Sequence, residues 1–121
     1  MKKEFLDVFK SRKPIFGMLH LLGDNDEEVM ERAKKEISIY YENGVDAVIV
    51  ENYFGTYRHM VLVLTYLQQN YPNQIYGVNC LDQDTMNFEL AIKYGATFVQ
   101  LDSVAGHLEE RNDITFDAFM K

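Results

Sequence analysis

Four apolar segments, each stopping at a polar residue and each followed by a stretch able to form a helix, constrain this chain more than any other feature. They are Pro14-Ile-Phe-Gly-Met-Leu-His20, Asp46-Ala-Val-Ile-Val-Glu51-Asn52, Ile75-Tyr-Gly-Val-Asn79 and Thr97-Phe-Val-Gln-Leu-Asp102. Such alternation predicts an α/β fold with a parallel sheet whose functional groups gather at one rim, the C-terminal ends of the strands. A closed barrel of eight such units takes about 250 residues, with a lower limit near about 200, and this chain has 121. The expectation is therefore half of a (β/α)8 barrel: four parallel strand-helix units behind an N-terminal helix, one partial domain over residues 1–121. The other half is then either absent or supplied by another chain.

Turn and cap chemistry sets the boundaries. Asn25 followed by Glu28 fits a capping box, and Asp26 and Glu27 favour the positive end of a helix dipole. Val29, Met30, Ala33, Ile37 and Tyr41 share one face of a helix reaching about Glu42, which Gly44 closes by taking positive φ. Asp46–Val50 is nearly continuous in apolar residues, as a strand buried on both faces should be. A second helix is expected over Tyr57–Gln69, ending before Tyr71-Pro72-Asn73, and a strand over Ile75–Asn79. Asp82 or Asp84 is placed to cap a third helix through Tyr94, with Met86, Leu90 and Ala91 or Tyr94 buried and Gly95 as its stop. The fourth strand is Ala96–Leu101, and Asp113–Lys121 looks like the opening of a fourth helix. Residues 43–51 resemble residues 94–102 at an offset of two strand-helix units, which supports the architecture.

The formal charge of −7, from 19 acidic and 12 basic residues, argues against nucleic acid and anionic membrane as primary partners. The basic cluster Lys2, Lys3, Lys10, Arg12 and Lys13 reads as the solvated face of a short helix built on Phe5, Leu6 and Phe9. A single cysteine, Cys80, makes no internal disulfide and has no activating neighbour in sequence, so a buried, unreactive thiol is expected. No segment has the length and apolar purity of a membrane span or secretory signal, which sets a cytoplasmic location as the default.

Chemistry in such folds is drawn from the loops beyond the strand ends. His20, Glu51, Asn52, Asn79 and Asp102 would converge there, joined by Ser103 and His107 from the small-residue loop that follows. Glu51 or Asp102 can serve as base and His20 as acid, while the two amides hold a substrate carbonyl or hydroxyl. Glu51 stands out because an acid directly after Ala-Val-Ile-Val is costly unless it reaches solvent or a partner. Gly55, just before a helix start, can present backbone amides to an anion. There is no compact ligand motif such as His-Glu-x-x-His, so no metal site is assigned, and the residues name no cofactor.

Ile15-Phe-Gly-Met-Leu-His20-Leu, Gly44-Val-Asp-Ala-Val-Ile-Val-Glu51-Asn52-Tyr-Phe-Gly55, Tyr76-Gly-Val-Asn79 and Phe98-Val-Gln-Leu-Asp102-Ser-Val-Ala-Gly106-His-Leu together resemble the BtpA/SgcQ family. The block from Gly44 to Asn52 is the most specific part. The resemblance runs from about residue 5 to the end of the chain and covers only the first half of the family's pattern. It implies a TIM-type barrel related by fold to barrels that handle phosphates and ribose. One branch of the family is linked by name to photosystem I biogenesis, and another sits among proteins of sugar or nucleoside metabolism. On that basis three expectations stand: a barrel that binds or transforms a small phosphorylated, sugar-like or nucleoside-like metabolite, a non-catalytic assembly scaffold, or a truncated fragment without independent activity. The short chain would find its missing half in a homodimer or in a longer polypeptide.

Overall fold

The computed structural model describes residues 5–10 and 13–101. A short 3-10 turn, Phe5–Val8, leads into β1 (Phe16–Leu19), α1 (Asp26–Glu42), β2 (Ala47–Glu51), α2 (Tyr57–Asn70), β3 (Tyr76–Asn79), α3 (Asp84–Tyr94) and β4 (Phe98–Val99). The strands form one parallel sheet in the order β1-β2-β3-β4, so each helix connects neighbouring strands. This is the arrangement expected of half a barrel. The expected helix over Asp113–Lys121 lies outside the described residues.

Pairing register separates the two faces of the sheet. Gly17 pairs with Val48, and Val48 with Tyr76. The space where a Cβ on Gly17 would stand is taken by the Tyr40 ring of α1, so this row faces the helices. Leu19, Val48, Val50 and Val78 are fully buried there with Val29, Ala33 and Ile37 of α1 and Met60, Val63, Leu64 and Leu67 of α2. Three tyrosine hydroxyls bind helices and strands together: Tyr40 donates to Met18 O (3.1 Å), Tyr41 to Ile75 O (2.6 Å) and Tyr76 to Tyr94 O (2.6 Å). Burial pushes the Tyr41 phenol well above its ordinary range, so it remains a neutral donor.

The alternate residues Phe16, Met18, Ile49, Gly77 and Phe98 face the other way. Here Phe5, Phe9, Phe16 and Phe98 make a ring cluster with centroids 5.1–6.5 Å apart. The cluster stays partly open, with Phe5 48% and Phe16 36% exposed. An open cleft of about 380 Å³ lies beside it, lined by Phe5, Phe16, Met18, Ile49, Phe98 and Gln100. Phe5, Leu6 and Phe9 were expected on a short helix; they belong to a single 3-10 turn and the residue after it, with Phe9 buried among the rings.

Two caps differ from expectation. Asn25 Oδ1 accepts the Glu28 N–H (2.9 Å), but Glu28 closes on the Asp24 N–H (2.8 Å), one residue before the cap. At α3 neither aspartate is the cap. The cap position is Gln83, which makes no side-chain cap hydrogen bond, while Asp82 takes φ +62° and Asp84 is buried in the first turn. The turn is held from within the helix by Asn87. Its Oδ1 accepts the Cys80 N–H, and its amide donates to Cys80 O (3.4 Å) and Gln100 O (3.3 Å). Gly44 (φ +84°) and Gly95 (φ +74°) end α1 and α3 in the left-handed region, as their positions require.

Candidate functional site

The row that begins with Phe16 and Met18 ends in polar residues at the C-terminal edge of the sheet. His20 follows β1 on that face, Glu51 closes β2, and Asn79, paired with Glu51, closes β3. Gln100, directly after β4 and level with Asn79, donates its N–H to Val78 O (2.9 Å). A strip of imidazole, carboxylate and amides therefore crosses four neighbouring strands above an apolar floor.

Glu51 is the centre of this strip. It is only 7% exposed, and Asn79 Nδ2 donates to its Oε2 at 3.1 Å. Its Oε1 stands 3.7 Å from His20 Nε2, a charge-pair separation too long for a hydrogen bond. A buried carboxylate needs donors to offset the loss of water, and Asn79 supplies one. The other neighbour, His20, has a half-exposed side chain, so it links the buried acid to the open surface. This geometry can hold a hydroxyl or an amine, or pass a proton between His20 and Glu51 through a bound group.

The loop after β2 is fixed from several sides. Asn52 Oδ1 accepts the Leu81 N–H (2.8 Å), and its amide reaches Cys80 Sγ (3.9 Å). Asn52 thus ties the loops after β2 and β3 together. The Phe54 N–H donates to His20 O (3.0 Å). Gly55 is packed so closely on the loop after β1 that a Cβ would come within 2.7 Å of Leu21 Cβ. Thr56 caps α2 by accepting the His59 N–H (3.3 Å), and His59 Nδ1 accepts the Thr56 N–H (3.2 Å). The backbone N–H groups of Phe54 and Thr56, on either side of Gly55, are therefore already engaged and not free for an anion.

With Nδ1 an acceptor, His59 carries its proton on Nε2 and donates to Asp26 Oδ1 (2.9 Å). Arg58 grips the same carboxylate through Nε (2.9 Å) and Nη2 (2.7 Å). The hydrogen bond from His59, followed by Arg58, holds the Asp26 carboxyl below its usual range against an opposing desolvation effect. This clasp joins the first turns of α1 and α2. It escaped sequence reading because His59 occupies the place where a capping box usually has Glu or Gln.

Among the predicted site residues, the structure brings His20, Glu51 and Asn79 together, with Asn52 and Gly55 in the adjoining loop. Asp102, Ser103 and His107 lie outside the described residues. Cys80 is buried, and burial pushes its thiol pKa up, which makes it a poor nucleophile. No group of three or more His, Cys, Asp or Glu side chains suited to a metal occurs among the described residues. Nor is any described helix long and apolar enough to cross a membrane. Sequence reasoning alone does not single out Gln100, Asn87 or the exposed pair Tyr53-Phe54. Two consecutive aromatics directly after a strand-end Glu-Asn were the available signal for that pair.

No protein-family profile matches the chain, and no solved structure matches it significantly. Two curated proteins do. The chain is 28% identical over 123 residues to the photosystem I biogenesis protein BtpA of Synechocystis, covering 85% of this chain and 42% of that protein. It is 26% identical over 118 residues to an uncharacterized protein of Pyrococcus furiosus, covering 83% of this chain and 45% of that one. The chain thus spans less than half the length of these relatives, to which it is distantly related.

Proposed function

We propose that this chain is a BtpA-like half-barrel whose C-terminal rim binds a small polar metabolite. The observation that carries the reading is the convergence of His20, Glu51 and Asn79 from three successive parallel strands. In folds of this layout, ligands are held at the strand ends. Asp102, Ser103 and His107 would extend the rim from the fourth strand. A sugar-like group with hydroxyl donors suits Glu51 and the amides. A phosphate would have to be held by the loop around Gly55, where two amides already have partners. If the site is catalytic, Glu51 or Asp102 acts as base and His20 as acid.

The open face of the sheet also has to be covered, because parallel sheets are stable when both faces are buried. A second copy, or a polypeptide like the remaining length of the relatives, would supply that cover. The role in photosystem I biogenesis named for the Synechocystis relative favours a second reading, a non-catalytic assembly scaffold. Titration of ribose and ribose phosphate, followed in amide NMR spectra, separates the two. Metabolite binding predicts saturable shifts around residues 20, 51 and 79 that disappear in Glu51→Ala and Asp102→Ala. Absence of any saturable shift would leave the scaffold reading in place.

A further inference from the structure

Tyr53 and Phe54 stand beside the polar strip with 62% and 57% of their surfaces exposed. They are held by the loop that the Phe54 N–H anchors to His20 O. The two rings pack edge to face, 4.6 Å apart at 80°. The His20 ring completes a corner, 5.5 Å from Tyr53 at 52° and 6.2 Å from Phe54 at 83°. His20 is also the residue that faces Glu51 across 3.7 Å. Three mutually tilted rings and a largely buried carboxylate thus share one neighbourhood.

Aromatic faces carry negative potential, so ring faces set at an angle beside a carboxylate favour a compact cation. Within the described residues, Lys34 lies over Tyr66 and Lys93 over Tyr94; neither is at this corner. The chain's charge of −7 draws cations toward its surface. A flat stacking platform would suit a planar ring, but perpendicular walls suit a rounded group. We infer that this corner binds the alkylammonium group of a small metabolite, with Tyr53 and Phe54 as its walls and Glu51 as its counter-charge. The inference rests on the rim reading above and specifies the charge and shape of the ligand.

The test titrates the 121-residue chain with choline, with dimethylbutanol as its uncharged carbon isostere, and with ribose, each followed in amide NMR spectra. Choline should give saturable shifts at residues 20 and 51–54, and dimethylbutanol should bind about tenfold more weakly or not at all. Tyr53→Ala and Phe54→Ala should each weaken choline by about tenfold, and Glu51→Gln should weaken it with the folded spectrum retained. Equal binding of the isostere, shifts confined to other residues, or no saturable choline shift would overturn the inference. If choline fails while ribose shifts residues 51 and 79, the rim reading survives alone. If both fail, both are lost.

Discussion

The two faces of the sheet are built from the same strands, one residue out of phase, yet only one is finished. Toward the helices, Leu19, Val48, Val50 and Val78 are fully buried and tyrosine hydroxyls bind helix to strand. On the other face, Phe5 and Phe16 remain partly exposed over an open cleft, and the row ends in His20, Glu51 and Asn79. The first face therefore accounts for the stability of this chain. The second is apolar over the cleft and polar along its rim, and it leaves both surfaces partly open.

The largest effects are expected from core truncation. Leu64→Ala, on the helix side, is expected to cost about 2–5 kcal/mol, whereas Met18→Ala on the open side should cost less than half as much. Urea unfolding of both variants across a range of chain concentrations checks this: the Met18→Ala loss should grow as a second copy covers the face, and a loss equal to that of Leu64→Ala at every concentration would mean that the face is already filled within one chain. The two glycines of the strands give a second contrast. In Gly17→Ala the new Cβ would lie 2.6 Å from Tyr40 ring atoms that a hydroxyl bond to Met18 O holds in place, for a loss of about 1–3 kcal/mol. In Gly77→Ala it would meet the Phe98 ring, which borders the open cleft and has room to turn, so thermal melts should show the smaller loss.

At the rim, Asn79→Ala should have a smaller effect. It removes the donor to Glu51 Oε2, and leaving a buried acceptor unpaired costs about 1–3 kcal/mol. The accompanying Glu51→Gln change should recover part of that loss in a double-mutant cycle. The smallest effect is expected at the Asp26 clasp. Its carboxyl is held below the usual value in the folded state, so its contribution is fully present above the unfolded pKa of about 3.9 and fades as pH falls through the lower folded value. Melting curves of the parent chain and Asp26→Asn should differ at neutral pH and converge in acid.

Local chemistry made the frame legible. Asn25 and Gly44 bound α1, Gly95 ends α3, and the polar residue after each apolar run marks the edge where His20, Glu51 and Asn79 meet. What escaped depends on contacts between segments distant in sequence. Nothing in the sequence around Asn87 marks it, yet it holds the Cys80 turn and reaches Gln100. The repeat between residues 43–51 and 94–102 matched Asp102 to Glu51, but pairing of Val78 with Val99 sets Gln100 next to Asn79. Strand stagger of this kind accumulates across a tilted sheet and has no signature within any one strand. His59 was hidden because its role needs Asp26 from another helix.

The claim that the open face awaits a covering partner is tested most directly by the mass of the purified chain in solution, measured by light scattering during size exclusion. A second copy covering that face predicts a discrete species of twice the 14.1 kDa chain mass that melts cooperatively. A stable, cooperatively melting monomer of 14.1 kDa would contradict it.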